Sequence, residues 1–122
     1  MAPSVLGFGI SHASPIVPKD NVEGVQKALE FMEKDMNASP YDWEMFYVEP
    51  NMDFEPLIKK LREREWDVAM VGMGLRIAPP LTVFFEKLVN TLHKELPNAR
   101  IAFNTSIEST QEAVKRTLEL EL

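Results

Sequence analysis

The chain of 122 residues has no cysteine. That absence excludes a disulfide framework, thiolate-bound zinc, thiol redox chemistry and a cysteine nucleophile. Histidine is nearly missing too, with His12 and His93 the whole set. No H-x-x-x-H spacing or carboxylate cluster accompanies them, so neither a metal site nor a resident cofactor is expected. Positive charge is scarce: 13 Lys and Arg face 19 Asp and Glu, a formal net charge of −6. A nucleic-acid surface needs clustered cations against phosphates. Here the basic residues alternate with acids, as in Lys59-Lys60-Leu61-Arg62-Glu63-Arg64-Glu65, which reads as a solvated helix face. Neither nucleic acid nor an anionic membrane is expected as a partner. No apolar run approaches the ~20 residues that span a bilayer. Met1-Ala2-Pro3-Ser4 does not begin a basic and then apolar leader, so a cytoplasmic location is the expectation. No repeat or linker-like stretch divides the chain, and residues 1–122 read as one domain.

What is present is a balance of 45% apolar and 26% charged residues, the composition of a globular core with a charged surface. Four strand-like segments alternate with four amphipathic patterns. The strands are Val5–Ile10, Trp43–Val48, Val68–Val71 and Ile101–Phe103. The first, third and fourth are continuous apolar runs, as a sheet covered on both faces requires. The second puts Trp43, Met45 and Tyr47 on one face and Phe46 and Val48 on the other, and its polar character suits an edge.

Helical stripes run through Val22, Val25, Leu29, Met32 and Met36; through Phe54, Leu57, Ile58 and Leu61; through Leu81, Phe84, Phe85, Leu88, Val89 and Leu92; and through Ala113, Val114, Thr117 and Leu118. Asp20 or Asn21 is the expected cap of the first helix and Asp53 of the second. Ser109-Thr110-Gln111-Glu112 has the spacing of a capping box for the fourth. Strands alternating with helices predict an α/β fold: a four-stranded parallel sheet with helices on both faces. The flavodoxin-like order 2-1-3-4 is favoured over 3-2-1-4, because the second strand reads as an edge and the third as buried.

In open parallel sheets ligands bind beyond the carboxyl ends of the strands. The segments to read there are Ser11-His12-Ala13-Ser14 after the first strand, Glu49-Pro50-Asn51 after the second, Gly72-Met73-Gly74-Leu75-Arg76 after the third and Asn104-Thr105-Ser106 after the fourth. Gly72 and Gly74 allow close backbone approach or positive φ. Arg76 is a candidate anion partner, and Asn104, Thr105, Ser106 and Ser11 are candidate hydrogen-bonding groups. His12 is the candidate acid or base, while Met73 lies where it can touch a ligand. The dinucleotide fingerprint fails, with Ile77 and His12 at the third glycine positions, and no nucleophile elbow surrounds a serine. A phosphorelay receiver would need acids where Ser11-His12 stand and an aspartate where Gly72-Met73 stand.

The stretch from Trp66 to Arg116 resembles a set of small flavodoxin-like or Rossmann-like α/β proteins of bacteria and fungi. The matching elements are Val71-Gly72-Met73-Gly74-Leu75-Arg76, Pro79-Pro80, Phe85-Glu86-Lys87-Leu88-Val89-Asn90, His93, and Ala102-Phe103-Asn104-Thr105-Ser106 with Glu108-Ser109-Thr110. The resemblance implies the same small α/β fold and no particular activity, and it directs attention to Arg76 and Asn104.

The leading functional expectation is binding of a small anionic molecule, bearing phosphate or carboxylate, at the carboxyl edge of the sheet, with acid/base chemistry by His12 if a reaction occurs. The alternative is a homodimeric interaction module without catalysis, built on Trp43, Phe46, Tyr47, Phe84 and Phe85. Flavin-dependent electron transfer is a third reading and rests on fold analogy alone.

Overall fold

The computed structural model describes residues 2–122. Strand β1 (Ser4–Gly9) is buried along its whole length, as its apolar run predicts. It pairs on one side with β2 (Asp42–Tyr47) and on the other with β3 (Val68–Val71), and β3 pairs with β4 (Arg100–Phe103). All pairings are parallel, and the four strands run in the order β2-β1-β3-β4. This is the flavodoxin-like arrangement, and it excludes 3-2-1-4. Three strands start one residue before their apolar runs, because backbone pairing begins at Ser4, Asp42 and Arg100.

Helices α1 (Val22–Asn37), α2 (Glu55–Leu61), α3 (Thr82–Glu95) and α4 (Thr110–Leu118) connect or follow the strands. Alternation along the strands divides the core in two. Leu6, Phe8, Ala69 and Val71 point to one face, where they meet Leu57 and Leu61 of α2 and Leu88 and Leu92 of α3. Val5, Val68, Met70 and Ala102 point to the other, against Leu29, Met32 and Met36 of α1 and Val114 of α4. Each fully buried leucine, such as Leu57 or Leu88, contributes about 1.5–3 kcal/mol through removal from water.

The helix starts depart from the expected caps. The Asn21 side chain makes no capping hydrogen bond; a 3₁₀ turn over Lys19–Asn21 leads into α1, and its backbone carbonyls accept the N–H groups of Asn21 and Val22. Asp53 lies one residue before the cap position of α2, yet its Oδ1 still accepts the Glu55 N–H at 3.1 Å. The capping box falls one turn earlier than its sequence signature. Ser106 and Ser109 form it around the 3₁₀ turn Ile107–Ser109, and α4 grows from that turn. The Ser109 hydroxyl is already engaged with the N–H groups of Thr105 and Ser106, so it is not free to cap downstream.

At the amino edge of the sheet, β1 is locked to the segment leading into β3. The Ser4 N–H donates to Asp67 Oδ2 at 2.8 Å, the Asp67 N–H donates to Ser4 Oγ at 3.0 Å, and the Ser4 hydroxyl donates to the Glu65 carbonyl at 3.0 Å.

Towards the α1 side, β1 presents Val5 and then two glycines. Trp43 and Met45, on the neighbouring strand, lean into the room left at Gly7; a Cβ there would lie 2.9 Å from Trp43 Cζ3 and 3.0 Å from Met45 Sδ, with the Trp43 ring tip closer still. Gly7→Ala is therefore expected to destabilise the fold by about 1–3 kcal/mol through overpacking, read as a lowered urea midpoint. Gly24, inside α1, has open space where its Cβ would be. Gly24→Ala is expected to raise stability by about 0.5–1 kcal/mol, and the same titration checks both.

Candidate functional site

The absence of side chains on the α1 side of β1 has its largest effect at the carboxyl end. Gly9 adds no side chain there, and the terminal methyl of Met45 lies 2.7 Å from where its Cβ would be. Gly72 continues the gap beyond β3. Its N–H donates to the Phe8 carbonyl at 2.9 Å, and a Cβ would lie 3.0 Å from that same oxygen. Glycine at 72 thus lets the two backbones approach closely, where a side chain would crowd the Phe8 carbonyl. Among the described residues no glycine has positive φ, so spacing rather than unusual backbone geometry explains it.

Above this bare backbone lies a cavity of about 560 Å³. It sits at the carboxyl ends of β1 and β3, where the chain's crossovers diverge in opposite directions. Met45 and Met70 line it beside Gly9 and Gly72, and α1 supplies Val25, Leu29 and Met32. The segment between β1 and α1 contributes Ile16, Val17 and Pro18. The segment between β3 and α3 contributes Met73, Gly74, Ile77 and Ala78, and the start of α4 adds Ile107 and Thr110. Among the described residues no Lys, Arg, His, Asp or Glu lines it.

Asn104 is the buried polar anchor of the cavity, 3% exposed. Its Oδ1 accepts the Met73 N–H at 2.7 Å, and its Nδ2 donates to Thr110 Oγ1 at 3.1 Å. The Thr110 hydroxyl in turn donates to the Ile107 carbonyl at 2.7 Å. These bonds determine the amide orientation. The Met73 N–H needs an acceptor, and the Thr110 oxygen has already committed its proton. One side chain thereby ties the end of β4, the turn after β3 and the start of α4 together.

Of the residues expected at the site, the structure brings Gly72, Gly74, Asn104 and Met73 to the cavity. Arg76 is placed elsewhere: its Nη2 donates to the Asn104 carbonyl at 2.6 Å, and its guanidinium lies 5.5 Å over the ring of Phe103. Phe103 packs with the α2/α3 core, on the other face of the sheet. Ser11, His12, Thr105 and Ser106 do not line the cavity. Ser11 Oγ accepts the Ala13 N–H, and Thr105 and Ser106 are engaged with Ser109. Glu49 accepts the buried Ser14 hydroxyl at 2.8 Å, which fastens the β1–α1 segment to the end of β2.

The groups whose acidity the fold shifts all lie outside the cavity lining. Partial burial first, and then the Glu33 carboxylate, push the Tyr47 phenol up. Hydrogen bonds that the Lys60 ammonium donates to the Glu44 and Glu63 carboxylates push its pKa up, and the Arg62 guanidinium holds Glu95 below the usual carboxylate range.

The sequence reading missed Ile16, Val17 and Pro18, since a short irregular loop has no periodicity to reveal where it faces. Val25 did carry a signal. The apolar stripe of α1 starts a full turn before Leu29, its first buried residue, and that extra turn overhangs the cavity. Comparison of the chain with protein-family models, with curated proteins and with solved structures found no match.

Removing the Asn104 amide strips the Met73 N–H and Thr110 of their partner. Asn104→Ala is expected to cost about 1–3 kcal/mol of stability. In a double-mutant cycle with Thr110→Val, the two losses should sum to more than the double variant shows, a coupling of about 0.5–3 kcal/mol measured by denaturant unfolding.

Proposed function

We propose that this protein binds a small molecule in the cavity at the carboxyl edge of its sheet. The observation that carries the reading is a cavity of about 560 Å³, inside the ~300–1,000 Å³ range of small-molecule sites, built at the position where open parallel sheets take ligands. Its walls are apolar apart from a few polar groups led by Asn104, which is the usual division of labour between bulk affinity and orientation. Four methionines, Met32, Met45, Met70 and Met73, line it. Their flexible thioethers adapt to ligand shape. An anionic ligand held by Arg76 draws little support from this lining, because the guanidinium is engaged with the Asn104 carbonyl and Phe103. Binding, rather than acid/base catalysis by His12, is the activity favoured.

A homodimeric module is the second reading. It draws on Ile16 and Ile77, which are 45% and 63% exposed where they border the cavity. Apolar side chains at a mouth serve a ligand or a partner surface equally well, so sedimentation of the ligand-free protein separates the two uses.

The test is a titration with N-phenyl-1-naphthylamine, a neutral dye that brightens in apolar surroundings. A saturable rise in fluorescence is expected with the natural chain. Gly74→Leu and Val25→Trp enter the cavity from two different walls and are expected to weaken binding by about tenfold or more, since overpacking displaces ligand atoms. Thermal unfolding checks that both variants keep their fold. Equal brightening by all three proteins would place the dye elsewhere and overturn the assignment.

A further inference from the structure

The cavity differs from a phosphate or carboxylate site in its lack of charge. Among the described residues no cationic side chain lines it. Arg76, the nearest cation in the turn after β3, donates to the Asn104 carbonyl and stacks on a ring belonging to the opposite core. Arg116 is likewise committed, its Nη2 donating to the Phe103 carbonyl at 2.7 Å. The start of α1 faces the cavity through Asn21 and Val25, yet the N–H groups of Asn21 and Val22 are taken by the carbonyls of Pro18 and Lys19. An anion placed among Leu29, Met32 and Met70 would lose its water without gaining a counter-charge. That is far costlier than burying a neutral polar group.

Asn104 has capacity left over. Met73 uses one lone pair of its Oδ1, and Thr110 uses one N–H of its Nδ2; a primary amide has one more of each. A buried amide with spare valence in an apolar wall selects a ligand able to make one matching hydrogen bond, since leaving the group unpaired against a ligand is unfavourable.

Resting on the reading of this cavity as a binding site, we infer that its ligand is an uncharged, mainly hydrocarbon molecule carrying one hydrogen-bonding group, a carbonyl or hydroxyl, that addresses Asn104. The methionine lining sets a tolerance for chain or ring shape, and Asn104 sets the polarity.

The experiment uses the intact protein at pH 7 and four compounds of matched chain length: 2-octanone, 1-octanol, octanoate and octylammonium. Each is titrated against bound N-phenyl-1-naphthylamine. The ketone and the alcohol are expected to displace the dye at concentrations about tenfold or more below octanoate, following the cost of burying an unpaired charge. Octanoate binding as tightly as the neutral compounds would overturn the inference while leaving the cavity a binding site. Failure of the dye and of all four compounds to bind would overturn the binding reading and the inference together.

A second arm uses Asn104→Asp, which keeps an acceptor for the Met73 N–H and replaces the amide with a carboxylate. This variant, with its fold checked by thermal unfolding, is expected to gain affinity for octylammonium and lose affinity for 2-octanone. Unchanged affinity for both would show that position 104 does not face the ligand, and would overturn the assignment of Asn104.

Discussion

The whole arrangement depends on a central strand that carries bulk on one face and almost none on the other. Leu6 and Phe8 fill the α2/α3 side of β1, while Gly7 and Gly9 leave the α1 side bare. A close-packed interior does not tolerate such a gap. Trp43 and Met45 lean across from β2 to fill it, and this sideways filling ends at Gly9. Beyond that point the next residue over the sheet is Gly72, whose close approach to the Phe8 carbonyl leaves little room for a Cβ. The cavity is the volume that neither β2 nor α1 reaches. Its position therefore follows from three glycines and the reach of two side chains.

Asn104 converts that gap into a defined space. Loops at a sheet edge are ordinarily free to drift. Here the turn after β3 hangs from Asn104 by the Met73 N–H, and the start of α4 hangs from it through Thr110. The β1–α1 segment is fastened separately by the Ser14–Glu49 bond. Three hydrogen bonds thus hold the apolar walls of the cavity at a set distance.

The fold was legible because its signals are periodic. Apolar runs of strand length, alternating with stripes of helical spacing, leave few topologies. The polar character of Trp43–Val48 beside the apolar Val68–Val71 was enough to select β2-β1-β3-β4. The candidate site was legible only as far as position: Gly72, Gly74, Met73 and Asn104 line the cavity because they follow strands. Arg76 shows where such reasoning stops. Sequence locates a residue at an edge but not on a face, and a long guanidinium goes to the carbonyl and ring that satisfy it, here across the sheet. The caps of α1 and α4 moved because a 3₁₀ turn precedes each helix: the Pro18 and Lys19 carbonyls bond the entry to α1, and the Ser106–Ser109 box forms one turn before α4. Residues such as Val17 and Pro18 were invisible because a loop without periodicity does not announce its inner side.

The lock between Ser4, Glu65 and Asp67 has a mechanical meaning. It stitches the base of the sheet, at the edge opposite the cavity. Strand register fastened at the amino edge does not depend on the residues at the carboxyl edge, so side chains around the cavity can be exchanged without unpicking the alignment of β1.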